Sequence, residues 1–130
     1  TPTNTKQIEK IINYFNINQI SFYVLGNISN TIIRDGLIKT PIINLRKMSK
    51  IQLKQNSKGL EFFAEAGVPI PRLSIWIANN GFKGSEGLVG IPGSLGGGIY
   101  MNASSYKNEV TKFINHVTFI DEFGNTSNLI

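Results

Sequence analysis

The chain has no cysteine. It therefore has no disulfide, no thiolate nucleophile and no cysteine-ligated metal, which fits a reducing compartment. Its single histidine, His116, has no cysteine to join it, which argues against a zinc site. Acid is scarce: Asp and Glu number eight against thirteen Lys and Arg, for a net charge of +5. The acids are Glu9, Asp35, Glu61, Glu65, Glu86, Glu109, Asp121 and Glu122, and no two have a convincing acid/base spacing on one element. No apolar run is long enough to cross a bilayer and no signal-peptide pattern opens the chain, so no membrane partner is expected. No internal repeat, low-complexity tract or linker is evident.

The 130 residues present suit one domain, and an apolar fraction of 41% suffices for a core. The chain begins at Thr1 rather than Met, so it is expected to be part of a longer one. Much of the positive charge comes from Lys39, Arg46, Lys47, Lys50, Lys54 and Lys58, without aromatic residues between them. A solvated face is the preferred reading, and attraction of an anionic partner is the functional one. No nucleic-acid recognition motif is present, and no nucleic-acid partner is expected.

Ile8, Ile11, Ile12 and Phe15 follow helical spacing, and Asn4 with Gln7 forms a capping pair, so Asn4 to Phe15 is expected to be a helix. Ser21 to Leu25 suits a buried strand, and helix then strand suggests half of an α/β unit. Thr31 to Ile33 is expected to be the next strand, with a turn at Asp35-Gly36. Pro41 to Leu45, Ile51 to Gln55 and Leu60 to Ala64 read as strands, the last two antiparallel about a turn at Ser57-Lys58-Gly59. Pro71 opens a helix that Gly81 stops, and its Trp76 is read as core. Asn115 to Asp121 and Thr126 to Ile130 read as strands joined by a turn over Glu122 to Asn125. His116 is expected to be a half-exposed strand residue rather than a base.

The organising stretch is GSEGLVGIPGSLGGGIYMNASSY, Gly84 to Tyr106. Gly84, Gly87, Gly90, Gly93, Gly96, Gly97 and Gly98 crowd its first part. Glycine at that density suits positive φ or a very close backbone approach, not a core element. Pro92 fixes the chain before Gly93, and Ser94 can cap a helix from about Leu95 to Asn102. A rigid turn followed by N–H groups at a helix N-terminus can hold an anion. A second stretch, GNISN from Gly26 to Asn30, follows a strand and offers several backbone N–H groups to one point, a nest without a phosphate-binding lysine. Glu86, inside the long loop, is expected to accept backbone N–H groups and shape it.

Read together, the two stretches carry a family likeness. VLGNISNTIIRDG resembles the VLGxGSNxLxxDG segment of the UDP-N-acetylenolpyruvoylglucosamine reductases. GLVGIPGSLGGGIYMNASSY resembles their GLExxxGIPGxxGGAxxMNAGAY segment, and AGVPIPRLSIWIANNGFKGSEG is similar to the stretch between. Order and separation agree, and the likeness covers nearly the whole chain. Three departures stand out: Ile28 where the family usually has glycine, Ser104-Ser105 and Lys107 in place of small residues around Tyr106, and the run Gly87 to Val89.

The resemblance implies an α+β FAD-binding domain of the vanillyl-alcohol-oxidase (PCMH) type, with mixed sheets and flanking helices, spanning residues 1–130. It implies FAD as cofactor, NADPH and UDP-N-acetylglucosamine enolpyruvate as substrates, and UDP-N-acetylmuramate for peptidoglycan as product, in the cytoplasm. It places Gly26, Asn27, Ile28, Ser29 and Asn30 around the FAD pyrophosphate. It places Gly90, Ile91, Pro92, Gly93, Ser94, Gly96 and Gly97 along flavin and pyrophosphate, with Asn102 and Ala103 continuing that wall. The family's catalytic Ser or Cys, Glu and Arg are expected beyond this segment, so no catalytic residue is assigned. The alternatives are another flavin oxidoreductase of the same superfamily and a non-catalytic module that keeps the fold, which Ile28 suggests.

Overall fold

The computed structural model describes residues 1–56, 59–105 and 108–129. Helix α1 spans Thr5–Ile17. Asn4 caps it, its Oδ1 accepting the Gln7 N–H at 3.0 Å. Gln7 answers through Oε1, which accepts the Thr3 N–H at 2.8 Å, one residue earlier than a reciprocal capping box requires. Strand β1 (Tyr23–Leu25) pairs in parallel with β2 (Ile42–Asn44), Tyr23 opposite Ile42 and Leu25 opposite Asn44. The apolar stripe of α1 meets this pair in a first core of Ile8, Ile12, Ile43 and Met48, flanked by Ile11, Phe15, Phe22, Leu45 and Ile120.

The expected strand at Thr31 to Ile33 does not form. The connection from β1 to β2 is irregular there, and Ile32 is 100% exposed. Apolar β-branched residues favour a strand only where a neighbour pairs with and covers them, and none does here. The crossover between the two parallel strands is therefore loop rather than helix.

Strands β3 (Ile51–Asn56) and β4 (Gly59–Ala64) form the expected antiparallel pair. Ser57 and Lys58 of its turn lie outside the described residues, as do Tyr106, Lys107 and Ile130 of the later stretches. Helix α2 covers Ile70–Asn79, with Pro71 in its first turn. Gly81 ends it at φ +84°, its N–H bonded to the Ala78 carbonyl at 3.0 Å. Trp76 meets Phe62 edge-on at 5.5 Å, and Phe82 meets Phe62 in the same way at 4.7 Å, so the tryptophan is packing.

A 3-10 turn at Glu86–Gly90 leads to α3 (Leu95–Tyr100). The helix stops two residues before the expected end, because Asn102 turns left-handed at φ +45°. Strands β5 (Ser104–Ser105) and β6 (Asn108–Glu109) are short and antiparallel, and a second 3-10 turn, Val110–Phe113, follows. These elements enclose a second core of Ile70, Leu88, Ile91 and Val110, with Leu95, Ile99, Ala103 and Ile114 against it.

Strands β7 (Val117–Ile120) and β8 (Thr126–Leu129) close the chain as a hairpin docked on α1. Asn16 Nδ2 donates to the Glu122 carbonyl at 2.9 Å and Thr126 Oγ1 to Glu9 Oε1 at 3.0 Å. His116 is exposed just before β7. Asp121 organises the hairpin turn, Oδ1 accepting the N–H groups of Asn125 at 2.8 Å and Phe123 at 2.9 Å.

Two outcomes are expected. Ile70 is 0% exposed, so Ile70→Ala should cost ~2–5 kcal/mol in urea unfolding, whereas Ile32→Ala should change stability by under ~0.5 kcal/mol. Equal losses would contradict the placement of the core. The Asn125 backbone N–H, before the other donors, holds the Asp121 carboxyl below its usual range. That stabilisation is present above the unfolded carboxyl's pKa and is lost as pH falls through the depressed folded value. The stability gap between the native chain and Asp121→Asn should therefore close on titration below about pH 4, and a gap that widens in acid would contradict it.

Candidate functional site

The two glycine stretches, distant in sequence, meet in space. Gly26 ends β1 against the N-terminus of α3, so close that a Cβ there would collide with Ser94 Oγ and lie 3.9 Å from Gly97 Cα. Ser94 is only 3% exposed. It occupies the expected capping position, at φ −91° and ψ 153°, but its hydroxyl makes no cap bond. Gly93 has φ +120°, a conformation that favours glycine, and a Cβ on it would come 2.8 Å from Ser29 Oγ. Ser29 Oγ donates to the Pro92 carbonyl at 3.3 Å and ties the tips of the two loops together.

The arrangement leaves backbone donors unpaired on both stretches. Among the described residues, the N–H groups of Asn27, Ile28, Ser29 and Asn30 find no protein acceptor, nor do those of Gly93, Ser94 and Gly97. Leu95 and Gly96 are different: their N–H groups donate to the carbonyls of Val68 at 2.7 Å and Ala66 at 2.8 Å. Gly96 contributes shape instead, since a Cβ there would press on Ala66 at 2.8 Å. Unpaired N–H groups beside a helix start suit phosphate oxygens, so the residues present fit the pyrophosphate of a dinucleotide.

The remaining expected residues lie just before α3 or just after it. Gly90 and Pro92 are exposed, whereas the Ile91 side chain is buried in the second core, which leaves only its backbone for a ligand. Asn102 and Ala103 sit at the opposite, C-terminal end of α3. Asn102 Oδ1 accepts the Thr111 hydroxyl at 2.7 Å, and the Ala103 N–H and carbonyl bond to Gly98 and Val110. Glu86 shapes the loop, Oε2 accepting the Gly84 N–H at 2.7 Å.

Ile28 keeps the left-handed backbone that glycine takes easily, at φ +59°. A β-branched residue thus stands where the backbone conformation disfavours it.

Two supports escaped sequence reasoning. Asn44 bridges the first loop to β2, its Nδ2 donating to the Gly26 carbonyl at 2.9 Å and its Oδ1 accepting the Arg46 N–H at 3.0 Å. The Ala66-Gly67-Val68 segment holds the start of α3 and packs so closely on Leu45 to Met48 that Gly67 has no room for a Cβ. The Ala-Gly pair after β4 was the visible signal; nothing marked Asn44.

No group of three or more His, Asp or Glu that could hold a metal exists among the described residues. No helix there is long and apolar enough to cross a membrane.

Residues 1–129 match the family model for the FAD binding domain. The chain is 33% identical over 129 residues to the UDP-N-acetylenolpyruvoylglucosamine reductase of Clostridium tetani, covering 99% of this chain and 41% of that protein. It is 38% identical over 123 residues to the protein of the same name from Lactobacillus acidophilus, covering 95% and 40%. The chain thus spans about two fifths of the length of these curated relatives. Among solved structures, a variant of Phl p 4, a glucose dehydrogenase, superposes with a TM-score of 0.71 at 12% identity, covering 99% of this chain and 28% of that one. At that identity the match speaks for the fold, an α+β domain of the FAD-binding type.

The Gly26–Ser94 contact is testable by a double-mutant cycle. Gly26→Ala should destabilise by ~1–3 kcal/mol through overpacking, and Ser94→Ala in the same chain should recover most of that loss. Additive losses in chemical unfolding would show that the two residues do not touch.

Proposed function

The chain belongs to the FAD-binding domain family, and from that premise we propose that it is the FAD-holding portion of a UDP-N-acetylenolpyruvoylglucosamine reductase. The observation that carries the reading is the contact of GNISN with IPGSLGG, two stretches that each hold unpaired backbone N–H groups. When bound, FAD supplies a hydride carrier between NADPH and the enolpyruvyl group of UDP-N-acetylglucosamine enolpyruvate, the step that yields UDP-N-acetylmuramate for peptidoglycan.

The chain's own part in this is binding and orientation. Gly26, Asn27, Ile28, Ser29 and Asn30 surround the pyrophosphate from one side, and Gly93, Ser94 and Gly97 donate to it from the other. Gly90, Ile91, Pro92 and Gly96 line the path toward the flavin by backbone and by lack of bulk, and Asn102 and Ala103 continue that wall at the far end of α3. At the head of α3, where Leu95 and Gly96 are bonded to Val68 and Ala66, the backbone amides are held in place and need little reorganisation to offset the pyrophosphate charge. Proton donation to the substrate belongs to residues outside this segment, in a protein that works in the cytoplasm.

The purified full-length protein should show the visible absorption bands of a retained flavin after desalting. Those bands should bleach with NADPH under anaerobic conditions and return on addition of UDP-N-acetylglucosamine enolpyruvate. A colourless protein that takes up no added FAD would overturn the reading, and bleaching without reoxidation by that substrate would move it to another flavin oxidoreductase. Gly93→Val should lose the flavin bands while circular dichroism still reports a folded chain, because a branched side chain at φ +120° blocks the backbone approach. Normal FAD retention by that variant would sink the assignment of the loop.

A further inference from the structure

We infer that the Gly26–Asn30 loop is a clasp that its ligand closes, with Ile28 as the residue that biases it open; the inference rests on the proposed pyrophosphate site. Three residues other than glycine have positive φ: Gln19 at +53°, Ile28 at +59° and Asn102 at +45°. Two of them are held by bonds on both sides. At Gln19, its own N–H reaches the Asn16 carbonyl at 3.1 Å, and the next N–H reaches Phe15 at 2.8 Å. At Asn102, its own N–H reaches Ile99 at 3.1 Å, the next reaches Gly98 at 2.8 Å, and the side chain takes the Thr111 hydroxyl.

Ile28 has no such support. Among the described residues, neither its N–H nor those of Asn27, Ser29 and Asn30 find a protein acceptor. Its side chain is 41% exposed and belongs to neither core. Beyond Gly26, the loop's tie to the rest of the protein is the Ser29–Pro92 bond, long at 3.3 Å. It is also the residue least suited to the conformation, since isoleucine is β-branched whereas asparagine enters the left-handed region readily. Packing and protein hydrogen bonds therefore do not compensate the left-handed turn at Ile28. Phosphate oxygens accepting its N–H groups do, so turn formation and binding are coupled. Apparent affinity falls by the fraction of molecules in which the turn is formed.

The test compares the full-length native chain with Ile28→Gly, Ile28→Asn and Ile28→Val. FAD binding is read by flavin fluorescence, and thermal unfolding is read without FAD. Ile28→Gly and Ile28→Asn should bind FAD about tenfold more tightly, with the FAD-free unfolding temperature unchanged. Ile28→Val, which keeps the branch, should bind as the native chain does. Amide hydrogen exchange at residues 27–30 should be fast without FAD and slow with it in the native chain. If Gly and Asn instead raise the FAD-free unfolding temperature and leave affinity unaltered, the turn is already formed without ligand and the inference is wrong. Equal or weaker binding by both variants overturns it too. A native chain that takes up no FAD removes the functional reading first, and the clasp with it.

Discussion

Everything at the site depends on a missing atom. Because Gly26 has no Cβ, the end of β1 can lie on the Ser94 hydroxyl at the head of α3, where an alanine would collide. That contact joins a loop that follows the first core to a helix that borders the second. Without it the two sets of unpaired N–H groups would lie apart. The same logic recurs beneath, where Gly67 lies on the backbone from Leu45 to Met48 and Gly96 on Ala66. The site is thus a stack of close backbone approaches, each possible only because one residue has no side chain.

What keeps the stack in register is an unequal use of donors. Leu95 and Gly96 give their N–H groups to Val68 and Ala66, and Gly93 gives its carbonyl to the Ile70 N–H at 3.0 Å. These bonds pin α3 to the start of α2, and Ile70 and Val110 then bury its Gly98 face in the second core. The donors left over are at Gly93, Ser94 and Gly97, and a Cβ on Gly26 would meet Ser94 and Gly97 and one on Gly93 would meet Ser29. A helix of six residues has little dipole of its own to offer. The number and convergence of unpaired N–H groups matter more here than helix length.

Much of this was legible in the sequence, for local physical reasons. The α1 stripe, the Asn4 cap and the strand pairs around Asp121 to Asn125 follow from periodicity and turn chemistry, and the structure has them. The glycine density from Gly84 to Gly98 announced close approach, though not its partner. The misses share one cause, which is that they depend on neighbours distant in sequence. Thr31 to Ile33 has strand composition and no strand to pair with. Asn44 looks like an ordinary strand residue until the Gly26 carbonyl arrives beside it. The α3 terminus was placed two residues late because asparagine's tolerance of positive φ shows only where the helix ends.

Charge takes a secondary part, although the chain is basic. Six of the thirteen lysines and arginines lie from Lys39 to Lys58, and neither GNISN nor IPGSLGG contains a basic residue. The donors that these two stretches offer a ligand are therefore backbone N–H groups, which do not titrate. Such a site reads geometry rather than side-chain identity. Asn27 and Asn30 offer N–H groups that almost any residue would supply, while a Cβ on Gly26 or Gly93 would press on Ser94 Oγ or Ser29 Oγ. Ile28 belongs between these cases: its amide serves as well as any other, and its branched side chain makes the required turn costly. A loop of this kind tolerates drift in sequence as long as its φ angles remain reachable, and with isoleucine at that position the left-handed turn is reachable at φ +59° but disfavoured.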